Sequence, residues 1–156
     1  MAKKRIRVLI VEDDEATAFM IQAAFSAKGQ FVDWDLCFAP DGQQALDRIF
    51  QKGTHSDDPL PEFVILDWNL PKVSGKEVLL QLKSHTDLRA LPVLVFSTSN
   101  AEYDVNEAYN SHANGYISKP SGLDELLAIV ENIETFWVHT ARLPSRKPAG
   151  NPNTTL

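Results

Sequence analysis

Short, continuous apolar runs recur along this chain between longer segments of helical periodicity, and few folds accommodate that rhythm. Residues 7–11 (RVLIV), 63–66 (FVIL) and 92–96 (PVLVF) are nearly unbroken by polar side chains. A strand reads this way when both faces of its sheet are covered. Residues 31–39 alternate in part, and 115–118 (GYIS) form a shorter fifth run. Helical stretches follow each one. Residues 15–28 carry Ala16, Phe19, Met20, Ala23 and Ala27 at three- and four-residue spacing, with Gly29 just past the end. Asp41 with Gln44, Ser74 with Glu77, and Ser99 with Glu102 have the spacing of helix-opening capping boxes. They predict helices over 41–51, 74–85 and 100–112, and a last helix spans 122–138. Five strand–helix units in succession predict an α/β fold: a doubly wound, five-stranded parallel sheet with right-handed crossovers and helices on both faces.

A chain of 156 residues is long enough to bury a core without a metal staple or disulfide framework. Residues 1–140 are expected to form one domain, and 141–156, rich in Pro, Ser, Asn and Thr, a C-terminal tail. Fifteen basic against 21 acidic residues leave a net charge of −6, which argues against a nucleic-acid partner held by phosphate contacts. No apolar run approaches the roughly 18 residues of a membrane span. The basic start, Lys3-Lys4-Arg5, runs into acids after Val11 and does not read as a signal peptide. The one cysteine, Cys37, has no internal disulfide partner, and the expected compartment is the cytoplasm.

In open parallel sheets, ligands bind beyond the carboxyl ends of the strands. Glu12, Asp13 and Asp14 follow the first run, Asp67 the third, Ser97-Thr98-Ser99 the fourth, and Lys119-Pro120 the fifth. With the first strand beside the third, Asp13, Asp14 and Asp67 converge. Two carboxylates at ~4 Å repel by about 4 kcal/mol at an effective dielectric of 20. A hard divalent ion, Mg²⁺ or Mn²⁺, relieves that repulsion and keeps coordination positions open for a phosphoryl oxygen. Lys119 adds a second positive group and Ser97 a hydroxyl donor. Together they suit phosphoryl transfer onto a carboxylate.

Four segments, residues 8–14 (VLIVEDD), 65–71 (ILDWNLP), 95–99 (VFSTS) and 115–120 (GYISKP), resemble the signatures of response-regulator receiver domains, the phosphoacceptors of two-component signalling. The resemblance covers about residues 5–138. It implies a flavodoxin-like fold with strand order 2-1-3-4-5. It also implies Asp67 as the phosphorylated residue, Asp13 and Asp14 as the acidic pair serving the metal, and Asn69 as donor of a backbone carbonyl to it. Ser97 matches the switch hydroxyl, Lys119 the family's lysine, Tyr116 the aromatic switch, and Pro120 a proline usually preceded by a cis peptide. The polar loop 52–61 and the ending IETFW…RLP are similar to single-domain regulators paired with cyanobacterial phytochromes. That similarity implies a light-sensing histidine kinase as phosphodonor and a homodimer. Such a chain is no enzyme beyond its own Mg²⁺-dependent phosphoryl transfer and slow autodephosphorylation.

Plainer readings compete. Acids after a strand also cap helices, so Asp13 and Asp14 alone would suggest only a helix start. A pseudo-receiver, a binding module that never takes phosphate, is the alternative function; the complete set Asp13, Asp14, Asp67, Ser97 and Lys119 argues against it. In the last helix Leu123, Leu126, Leu127, Val130, Ile133 and Trp137 form one apolar stripe, which Ile129 and Phe136 widen. One stripe docks a helix on a sheet. The widened face, with Ile129, Ile133 and Phe136, is expected to pair with a second copy, unless residues 139–156 fold back over it.

Overall fold

A computed structural model describes residues 2–145. Five parallel strands, β1 (Lys4–Val11), β2 (Val32–Ala39), β3 (Phe63–Asp67), β4 (Val93–Ser97) and β5 (Gly115–Ser118), form one sheet in the order β2-β1-β3-β4-β5. This is the expected fold and strand order. Helices α1 (Glu15–Ala27), α2 (Gly42–Ile49), α3 (Gly75–Ser84), α4 (Glu102–Asn110) and α5 (Leu123–Glu134) connect and follow the strands. Alternation along β1 divides the core in two. Ile6, Val8 and Ile10 pack with Phe25 of α1 and Val130 of α5; Leu9 and Val11 pack with Leu46 of α2 and Leu79 of α3. The sheet is thus buried on both faces, which is why its central strands read as continuous apolar runs.

Two of the three expected caps form. Asp41 accepts from the Gln44 N–H at 2.8 Å, and Ser74 from the Glu77 N–H at 3.2 Å. The third does not. The helix expected from Ser99 begins at Glu102, after Ala101, whose side chain makes no cap. The Ser99 hydroxyl instead donates to Asp104 and accepts from the Ala101 N–H. Helix α4 buries only Ala108, so it is the helix least anchored by apolar packing.

The last helix is also shorter than its apolar stripe predicts. It leaves α-helical geometry after Glu134 and continues as a π-helical turn, Thr135–Thr140. Leu143, beyond that turn, is half-buried against the α1–α5 side of the core. The rest of the expected tail, 146–156, lies outside the described residues. No described peptide bond is cis, so the bond before Pro120 is trans, the lower-energy isomer for an X-Pro bond. Among the described residues no helix is long and apolar enough to cross a membrane.

Candidate functional site

Strand register builds the site. Val11 of β1 pairs with Leu66 of β3, so the next residue on each strand, Glu12 and Asp67, emerges side by side at the carboxyl edge. Both are about 5% exposed. The Glu12 N–H is held by the Ala39 carbonyl at 3.0 Å, which fixes the turn out of β1. On the other flank, Asp67 pairs with Phe96, and the Lys119 N–H donates to the Ser97 carbonyl at 2.8 Å. That bond brings the lysine back over the sheet edge. Its Nζ lies 2.7 Å from Glu12 Oε2 and 3.2 Å from Asp67 Oδ2.

One ligand oxygen each from Glu12, Asp13 and Asp67 lies within 4.8 Å of the other two. Two of these carboxylates, Glu12 and Asp67, share the Lys119 ammonium, and Asp13 stands beside them. Burial pushes the Asp67 and Glu12 carboxyls above the usual carboxylate range, and the bonds to Lys119 offset this only in part. Burial alone would lower the Lys119 ammonium, but the Glu12 hydrogen bond and the Asp67 charge more than compensate and raise it. The Asn69 N–H donates to Asp67 Oδ1 at 3.2 Å, so the residue after Trp68 folds back onto the acid. The donor set is all hard oxygen with excess negative charge, which fits Mg²⁺ or Mn²⁺ and not a soft ion.

Asp14 departs from expectation. Its carboxylate caps α1, accepting from the Thr17 N–H at 3.0 Å and from the Thr17 hydroxyl. These bonds hold its carboxyl below the usual range, and the residue is exposed. The acidic pair that meets Asp67 is therefore Glu12 and Asp13. The plainer reading, that one of these acids only caps a helix, holds for Asp14 alone. Sequence alone leaves Glu12 unassigned, because three acids in a row leave the register open. The signal was present in the apolar run: the first residue after Val11 is the one abreast of Asp67.

Ser97, at the end of β4, is fully buried, and its Oγ accepts from the Ser99 N–H at 3.2 Å. Tyr116, one strand over, is half-buried; its hydroxyl donates to the Ser99 carbonyl at 2.7 Å, and its N–H donates to Tyr109 Oη at 3.2 Å. Ser97 and Tyr116 are thus both bonded to the backbone of Ser99.

The three residues of the expected dimer face all line one groove but differ in exposure. Ile133 is only 6% exposed and belongs to the α1–α5 side of the core, because it faces the sheet rather than solvent. Ile129 is half-buried, and Phe136 is 52% exposed. They flank a shallow groove of about 330 Å³ between β5 and α5.

Comparison with known proteins gives a consistent result. The family model described as the response regulator receiver domain matches residues 8–131. The response regulator Rcp1 of Synechocystis sp. is 38% identical over 138 residues, 88% of this chain and 92% of Rcp1. The crystal structure of the phosphorylated cyanobacterial phytochrome response regulator RcpA superposes with a TM-score of 0.85 at 38% identity, covering 90% of this chain and 99% of that one. That of the Mn²⁺-bound form of Rcp1 gives 0.82 at 37% identity over the same shares.

Proposed function

The chain belongs to the response regulator receiver domain family and is related to the phytochrome response regulator RcpA, and from that premise we propose that Asp67 accepts a phosphoryl group from a sensor histidine kinase of the phytochrome type. The observation that carries the proposal is the Lys119 ammonium shared between Glu12 and Asp67, two of three converging carboxylates. An ammonium committed to two acids is a site built for more negative charge than one carboxylate supplies.

In this reading an Asp67 carboxylate oxygen attacks the phosphorus of a phosphohistidine. The P–N bond breaks, the imidazole leaves with the bonding electron pair and takes up a proton, and an acyl phosphate forms on Asp67. Lys119 follows the transferred group and neutralises one of its oxygens; the Ser97 hydroxyl donates to another. Glu12, Asp13 and Asp67, with the Asn69 carbonyl, would hold Mg²⁺ or Mn²⁺, which when bound supplies further neutralisation of phosphoryl charge. Leaving Ser99 for the phosphoryl group, Ser97 loosens the backbone that Tyr116 holds. The switch then reaches β5 and α4, the least anchored helix. The pseudo-receiver alternative is disfavoured because every group needed for phosphoryl acceptance stands at the edge.

The same reading makes the chain a homodimer through the β5–α5 side, with Ile129 and Phe136 as contacts, and a cytoplasmic protein with its one cysteine reduced. The exposure of Phe136 beside an apolar groove supports the first. The test is transfer of labelled phosphate from a panel of autophosphorylated histidine kinases. Fastest transfer from a phytochrome-type kinase is expected; transfer from none, or preference for an unrelated kinase, would contradict the pairing.

A further inference from the structure

We propose that Gly42, outside the acidic cluster, is a positioning residue for the cation site, acting through the loop between β3 and α3. The inference rests on the proposed cation site and goes beyond it. Residues 68–74 carry Asn69 and lead from Asp67 into α3. A Cβ built on Gly42 would lie 2.0 Å from the Val73 carbonyl oxygen and 2.9 Å from Val73 Cβ. The first turn of α2 therefore seats directly on the loop backbone, a contact only glycine permits. Beside it, Lys72 Nζ lies 3.4 Å from Asp41, the buried cap of α2. Lys72 is also held at φ +65°, a conformation that costs a non-glycine residue energy and persists only where its surroundings impose it. Gly75, just past the loop, closes it onto its start: a Cβ there would lie 2.3 Å from the Asp67 carbonyl oxygen. The loop's ends are thus closed on each other, and α2 supplies the further grip, on Val73, that sequence position alone does not reveal.

When a methyl group is added at Gly42, the loop must yield. Helix α2 is fixed by Ala45, Leu46 and Ile49, fully in the core, whereas on the loop Leu70 and Val73 are only half-buried against that core and Asn69, Pro71, Lys72 and Ser74 are exposed. Bringing the contact from 2.0 to an admissible 3.0 Å moves Val73 by about 1 Å. Displacements of that size at a supporting position cost about tenfold or more in a site built on geometry.

The test is Mn²⁺ affinity, read from the electron paramagnetic resonance of free Mn²⁺, in the wild-type chain and in Gly42→Ala. Gly122→Ala is the control, since a Cβ there meets nothing within 4 Å. Gly42→Ala is expected to weaken binding about tenfold, or ~1.4 kcal/mol, with Gly122→Ala unchanged. A folded Gly42→Ala within about threefold of wild type overturns the positioning role. If Gly42→Ala does not fold, Lys72→Met decides by sign. Removing a positive charge near an acidic site strengthens cation binding by electrostatics alone, so weaker binding supports the tether, and equal or stronger binding overturns it. A wild-type chain that binds no Mn²⁺ overturns the cation reading itself and the positioning role with it.

Discussion

Replacing Lys119 with methionine keeps much of the side-chain volume and removes the only ammonium among three acids. At an effective dielectric of 20, Nζ at 3.2 Å from Asp67 and 2.7 Å from Glu12 attracts them by roughly 5 and 6 kcal/mol. Two carboxylate oxygens no more than 4.8 Å apart repel by at least roughly 3.5 kcal/mol on the same scale. Desolvation of the lysine takes back part of that attraction. Stripping one partner from a buried ion pair costs about 3–5 kcal/mol in net terms, and about 3 is expected here because Asp13 is exposed. The loss depends on pH. Glu12 and Asp67 already titrate above their ordinary values of 4.5 and 3.8, and without the ammonium they rise further. The native chain then holds protons that the unfolded chain releases, so stability falls as pH rises through that window and recovers on acidification. Urea melts at two pH values, with and without Mg²⁺ at about 10 mM, a generous excess for a weak hard-ion site, measure it. The Lys119→Met deficit is expected to be largest near neutrality without cation, and to shrink both in acid and with Mg²⁺. A deficit indifferent to pH and to Mg²⁺ would mean that Lys119 acts by packing, and the electrostatic account of the site would be wrong.

Glu12→Gln is expected to weaken Mn²⁺ binding several-fold, roughly 1 kcal/mol, whereas Asp14→Ala lowers the melting temperature through the lost cap and leaves the affinity nearly unchanged; the reverse order would return Asp14 to the cluster. Asp67→Asn is expected to stabilise the cation-free chain at neutral pH and to flatten its stability between acid and neutral conditions, because a carboxylate held above its ordinary range costs stability as it ionises; thermal melts across pH check this. Ile133→Ala is expected to cost about 2–5 kcal/mol of stability as a core deletion. Phe136→Ala spares stability and shifts sedimentation towards monomer; a fully monomeric wild type would remove the proposed interface.

The fold was legible because each structural decision has a local chemical mark. Both faces are covered at Val8–Val11 of β1 and along β3 and β4, so those residues are apolar without alternation up to the strand ends, and Asp41 and Ser74 mark where α2 and α3 begin. The order of strands, by contrast, came from resemblance, since apolar runs carry no information about neighbours. Asp67 was legible because it ends a fully buried run, and Lys119 because it follows the short half-buried strand β5 and precedes a proline. Glu12 is marked only by being first after Val11, and among three consecutive acids that mark becomes decisive only once the β1–β3 register sets it abreast of Asp67. Ser99 has the spacing of a cap, yet its hydroxyl serves Asp104 and Ala101 within the loop that Tyr116 also holds. Ile133 sits in an apolar stripe too broad for one face, and only the packed helix distinguishes the residue facing the sheet from Phe136. The grip of Gly42 on Val73 joins segments 31 residues apart and leaves no local mark at all.

The most direct measurement of the central claim is the intact mass of the chain after incubation with acetyl phosphate and Mg²⁺, followed by peptide mapping of the adduct. One phosphoryl group is expected, removable by hydroxylamine as an acyl phosphate is, mapped to Asp67 and missing from Asp67→Asn. An adduct that resists hydroxylamine, maps elsewhere, or forms as fast on Asp67→Asn as on the wild-type chain would contradict the account.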